Sequence, residues 1–188
     1  MENKQRISTK KIVLTALMAA LTVVGSGLRI KLPVSVMGTT AFHLGNIFCA
    51  LSGILLGPGL GGLAAGMGSM IFDMMDPNYI DECLITFFMK GMYGLVTGQI
   101  VWIGKNRESY VKTTVATVAG AVTYAILYLL KNFLKGVWVK GLAPMASALA
   151  LLEKVPATIF NAAVAIIFAP MLATAIRKAL ERNRLTLD

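Results

Sequence analysis

Along the chain, long apolar runs alternate with short polar breaks. A helix needs about 20 apolar residues to cross the hydrocarbon of a bilayer, with a range of roughly 17 to 25. Six runs reach or approach that length: 11–28, 42–57, 59–75, 84–104, 113–134 and 148–176. The second and third are short and meet at Gly57–Pro58–Gly59. Two full spans with a sharp turn are expected there, with a re-entrant pair as the alternative. The sixth run is overlong, and Pro156 is expected to mark its true start, because proline suits the first helical turn. The predicted fold is an all-α, polytopic bundle of six transmembrane helices, forming one integral membrane domain over residues 1–188.

Composition strengthens this reading. Hydrophobic residues make up 56% of the chain and charged residues 14%, with a mean hydropathy of +0.72. A soluble domain averages about 25% charged residues. The first run is longer than the apolar core of a signal peptide and is followed by no A-x-A cleavage pattern, so it reads as a retained span. The net charge of +9 would favour nucleic acid in a soluble protein. Here the basic residues flank apolar runs, without the aromatic-basic interleaving of RNA binders, so nucleic acid is not an expected partner.

The same basic residues give an orientation. With the N-terminus in the cytoplasm, 11 lie inside: Lys4, Arg6, Lys10, Lys11, Lys105, Arg107, Lys112, Arg177, Lys178, Arg182 and Arg184. Six lie outside: Arg29, Lys31, Lys131, Lys135, Lys140 and Lys154. Positive charge is retained on the cytoplasmic side, so both termini are expected there.

Candidate chemistry gathers in the outer half. His43 and Asn46 open the second run, and Asp73 closes the third. In the fourth, Thr86, Lys90, Tyr93 and Thr97 fall on one helix face. Tyr124, Tyr128 and Asn132 recur every fourth residue in the fifth run, and Lys154, Thr158 and Asn161 share a face in the sixth. Polar groups without partners in lipid are costly, so these faces should meet one another or a ligand. Lys90 stands out in the apolar stretch TFFMKGMYGL. Its readings are an ion pair with Asp73 or Asp81, contact with a polar or anionic ligand, or snorkelling to the surface. Capping or packing is the plainer reading for His43 and Asn46, and packing for the tyrosines. Cys49, Cys83 and His43 match no zinc spacing, so no metal is expected. No nucleotide-binding or metalloprotease motif occurs, and no catalytic residue or cofactor is expected.

Small residues form stripes at Gly62-x-x-x-Gly66, Gly94-x-x-x-Gly98 and Ala16-x-x-x-Ala20, which permit close helix approach. Taken with HLGNIFCALSGILLGPGLGGLAAGMGSMIFDMM and FFMKGMYGLVTG, the pattern resembles the substrate-binding S components of energy-coupling factor (ECF) transporters. The resemblance covers nearly the whole chain. It implies capture of a water-soluble vitamin or precursor from outside, of flavin, pyridine or pyrimidine type. It also implies a transmembrane coupling protein and two cytoplasmic ATPase subunits as partners, with Ala16 and Ala20 as the docking surface. A ligand site is implied in the outer half, under the loop 29–41 and around Lys90, Asn161, Asn46, Asp73 and Asn132. His43, Tyr93 and Tyr128 are further candidates. The competing readings are a membrane enzyme built on Lys90, the acids and His43, and a structural or assembly protein.

Overall fold

A computed structural model of the chain describes residues 8–34 and 38–183. Lys4, Arg6 and Arg184 of the orientation set, and part of the loop 29–41, lie outside those residues. The elements run α1 (Thr9–Gly27), β1 (Arg29–Val34), β2 (Gly38–His43), α2 (Gly45–Met74), α3 (Cys83–Trp102), α4 (Tyr110–Leu134), α5 (Pro144–Ala150) and α6 (Val155–Arg182). Short 3-10 turns, Ile80–Glu82 and Leu151–Glu153, lead into α3 and α6, and a π turn, Lys135–Val139, follows α4. Counting α2 once, five helices among the described residues are long and apolar enough to cross a membrane. The chain is an all-α polytopic membrane bundle.

Helix α2 is a hairpin of two antiparallel halves, 45–56 and 58–74. Cys49 Sγ lies 3.7 Å from Ser69 Oγ, and the Ser52 hydroxyl lies 2.8 Å from the Gly61 carbonyl. A straight helix would hold Cys49 and Ser69 about 30 Å apart. The fold-back happens at one residue: Gly57 has φ 80° and ψ −177°, a region essentially closed to side chains. Pro58 then begins the second half. Because proline has no N–H, the Ile54 carbonyl loses its helical donor. The Trp102 indole donates to that carbonyl at 3.2 Å, and Arg177 does so at 3.2 Å, with a second bond to the Arg107 carbonyl at 2.8 Å. The turn is thus pinned by the ends of α3 and α6.

Both glycine stripes lie in the interface of α2 and α3, Gly62 and Gly66 against Gly91 and Phe87, and Gly94 and Gly98 against Gly61 and Gly57. A Cβ placed on Gly94 would stand 2.8 Å from the Gly61 carbonyl oxygen, and one on Gly98 2.6 Å from the Gly57 carbonyl carbon. Backbones approach this closely only where side chains are missing.

The expected span beginning at Phe42 needs correction. Phe42 and His43 belong to β2, paired antiparallel with β1 in the register Arg29↔His43 and Lys31↔Ala41. The expected loop is therefore largely a β-hairpin. Hydropathy missed it because alternation over six residues is too brief to stand out. The first half of α2 covers only about 18 Å at 1.5 Å per residue, and the hairpin fills the rest of that column. Of the capping or packing expected for His43 and Asn46, the His43 Nδ1 takes the first N–H of α2, that of Gly45, at 3.1 Å, while Asn46 is packed inside the bundle and caps nothing. Pro156 stands in the first turn of α6, as expected.

The hairpin, residues 74–83 and residues 131–155 share one end of the bundle. The start of α1, Gly57, residues 102–110 and Arg177 share the other. The first described helix begins, and the last ends, at the same face.

Candidate ligand site

The cavity lies at the hairpin end, with a volume of about 190 Å³. Helices α2, α3, α4 and α6 wall it, and the hairpin roofs it. Among the expected residues, His43, Asp73, Lys90, Tyr128, Asn132 and Asn161 line it. Asn46 and Tyr93 do not; they form the layer beneath.

The floor is built around Lys90, which is 4% exposed. Its ammonium donates to Asn46 Oδ1 and lies 4.0 Å from the centre of the Tyr124 ring. Among the described residues, no carboxylate stands within 4.0 Å of it, so the expected ion pair with Asp73 or Asp81 is not formed. Nor does it snorkel. Tyr124 stacks between Tyr93 and Tyr128, with centroid distances of 6.0 and 5.8 Å. The polar face of α3 continues downward into closed packing: Tyr93 Oη and Thr97 Oγ1 are buried without a partner among the described residues.

The roof is held from both sides. On the α6 side, Asn161 accepts from the His43 N–H at 2.8 Å and donates to the Ala41 carbonyl at 2.9 Å. Lys154 donates to the Thr39 carbonyl at 2.7 Å. Residues 39, 41 and 43 present one edge of β2, and these side chains satisfy it in place of a third strand. On the other side, Asp76 takes Arg29 and, at 2.8 Å, Lys31. The Arg29 guanidinium also lies 4.2 Å from the centre of the Phe72 ring, and Thr39 Oγ1 is 3.2 Å from Tyr79 Oη. Burial pushes the Asp76 carboxyl upward. Bonds from Lys31 and Asn78 and the Arg29 charge outweigh that and hold it far below the ordinary carboxylate range.

His43 stands where β2 passes into α2. Burial, then the charges of Lys90 and Arg29, hold its imidazole well below the ordinary histidine value. The geometry agrees, since Nδ1 accepts the Gly45 N–H at 3.1 Å and is therefore unprotonated. At the rim, Glu82 binds both Lys131, at 2.6 Å, and Lys135. Asn132 lines the cavity but spends its amide N–H on the Tyr128 carbonyl at 2.8 Å.

The sequence reading omitted Glu82, Asp76 and Thr39 from the site. Glu82 and Asp76 carried a signal, as acids beside an outer cluster of lysines. Thr39 acts through its backbone carbonyl and left no trace in residue type. Ala16 and Ala20 lie on the exposed face of α1, away from this cavity.

A polar chamber sealed by a strand hairpin inside an apolar bundle accords with a whole-chain comparison. The family model described as "ECF-type riboflavin transporter, S component" matches residues 6–178. The chain belongs to that family. It is also similar to an uncharacterized protein in the gap 3′ region of Pyrococcus woesei, at 33% identity over 109 residues, which are 58% of this chain and 68% of that protein. The chain is accordingly an S subunit of an ECF-type transporter and a multi-pass membrane protein. This family consists of transporter components, not of enzymes.

Proposed function

We propose that this S subunit captures a water-soluble vitamin or vitamin precursor from outside a prokaryotic cell membrane. It then carries that solute inward with a coupling protein and two ATPase subunits. The observation that carries this reading is the roofed cavity. Most of its lining is polar or charged, yet the bundle around it exposes Leu84, Phe88, Ile126 and Ile159 on its outer surface. Helix packing alone does not call for a hollow lined with lysines, tyrosines and asparagines. The basic-residue bias supports placing the cavity end outside. The exposed alanines of α1 support a docking role for that face, which lies away from the cavity and is free when the cavity is roofed.

The cavity volume bears on the solute. At about 190 Å³ it falls below the ~300–1,000 Å³ of drug-sized sites.

The test separates capture from transport. The purified chain alone, in detergent, should bind a solute without ATP, and equilibrium dialysis against labelled vitamins would read this. Proteoliposomes holding the chain together with a coupling module should accumulate the same solute only when ATP is supplied to the ATPases. Accumulation by the chain alone without ATP, or chemical conversion of the bound solute, would sink the proposal.

A further inference from the structure

The cavity lining is unbalanced in charge. Six cations, Arg29, Lys90, Lys131, Lys135, Lys140 and Lys154, face two carboxylates, Asp73 and Glu82. Part of the excess is met locally, since Arg29 is held by Asp76, Lys131 and Lys135 share Glu82, and Lys140 has a partner of its own. Two cations are held differently. Lys154 is 2% exposed and donates to a backbone carbonyl, that of Thr39. Lys90, also buried, has a neutral amide oxygen and a ring face. Among the described residues, no carboxylate lies within 4.0 Å of either ammonium.

Taking an ammonium out of water costs several kcal/mol unless an opposite charge compensates it. Carbonyl dipoles and a ring face recover part of that cost. A protein that needed only to hold helices together would satisfy these positions with neutral donors. Two buried ammonium groups beside a cavity are therefore a demand for negative charge that no carboxylate among the described residues meets by direct contact. Asp73 does not meet it, although it lines the same cavity.

We propose that the solute captured here is an anion, carrying a carboxylate or phosphate that the Lys154 ammonium takes under the hairpin while Lys90 adds positive charge from the floor. The proposal rests on the capture reading above and specifies the charge class of its solute. It assigns Lys154 a double part. The same Nζ that fastens the Thr39 carbonyl binds the anion, so the bound solute and the closed roof share one group. An ammonium has three donors, so it can serve both at once.

The experiment uses the full chain in nanodiscs of phosphatidylcholine, so that no anionic lipid can serve as ligand. The discs are incubated with an equimolar mixture of nicotinate and nicotinamide, pyridoxal 5′-phosphate and pyridoxal, and riboflavin 5′-phosphate and riboflavin. Retained compounds are quantified by mass spectrometry. The expected result is an anionic member held about tenfold or more over its partner, as one charge-assisted bond implies. Lys154→Met should abolish that preference and Lys154→Arg should keep it. Preference for an uncharged partner overturns the charge assignment while leaving capture standing, as does a Lys154→Met protein that retains the anion undiminished. Retention of none of the six overturns the capture reading itself. Should Lys154→Met fail to fold, the wild-type preference between partners still decides.

Discussion

Asn161→Leu tests the roof most directly. The substitution keeps side-chain size and removes both amide bonds that satisfy the β2 edge. Two buried backbone groups, the His43 N–H and the Ala41 carbonyl, would lose their partners. Leaving one such group unsatisfied costs about 1–3 kcal/mol, so the docked hairpin loses roughly 2–6 kcal/mol relative to a released one. At 1.4 kcal/mol per decade, that is a factor of about 30 to 10⁴ in the opening equilibrium. Hydrogen exchange followed by mass spectrometry reads this as lost protection over 38–43, greatest at the His43 amide, with the α2–α3 interface unchanged. Asn161→Asp, which keeps the acceptor, should fall between. If protection over 38–43 stays within twofold of wild type, the hairpin is held by something other than this amide, and the strand-mimicry reasoning fails.

Gly57→Ala should lower the stability of the bundle by about 1–3 kcal/mol, because alanine cannot adopt φ 80° and ψ −177° without strain and its Cβ would meet the Trp102 ring at 3.1 Å. Thermal unfolding in detergent, followed by circular dichroism, checks this, and an unchanged melting curve refutes it. Ala16→Leu or Ala20→Leu should leave solute binding by the isolated chain intact and abolish ATP-driven uptake. Lost binding with retained assembly would show that the α1 face is not the docking surface. Anion retention should weaken as pH rises through about 8. Burial, then Lys131, Lys135 and Lys140 against the opposing Glu82, bring Lys154 down to about 8, and the neutral amine no longer attracts the anion. The same shift makes the folded state gain stability between about 8 and the ordinary lysine value, since the unfolded chain binds the proton more tightly there. The retention profile should flatten in Lys154→Arg, and identical profiles in the two proteins would refute this assignment.

The helical frame was legible because lipid leaves hydropathy few ambiguities: long apolar runs can only be spans. Even the fold-back within α2 was readable from Gly57–Pro58–Gly59, as both residues that break a helix stand there together. The site was legible by periodicity, which placed Lys90 with Thr86 on one face and Asn161 with Lys154 and Thr158 on another. Partnership was not. Spacing within a helix says which way a side chain points, but not what meets it from another element. Lys90 was therefore weighed against distant acids, and its actual partner is Asn46 on the neighbouring helix. The hairpin was the largest omission. Its stability comes from groups that sequence patterns do not score: backbone edges capped by Asn161 and Lys154, and Arg29 closed on Asp76.

These features give the two ends of the bundle different mechanical characters. At the Gly57 end, backbone meets backbone across glycines, and the freed Ile54 carbonyl is taken by Trp102 and Arg177. Separating those contacts would create voids and orphan a carbonyl within the bundle. At the other end, the hairpin is held by side chains on its edges, and each has an alternative partner in water once the roof lifts. Opening there exposes charged and amide groups that water solvates well, whereas opening at Gly57 separates backbones packed directly on glycine and leaves voids. The lower-cost opening is thus at the hairpin, directly over Lys90. A solute that supplied negative charge to Lys154 would bind more strongly beneath a docked roof than a lifted one, and would shift the roof toward closure by that difference in affinity.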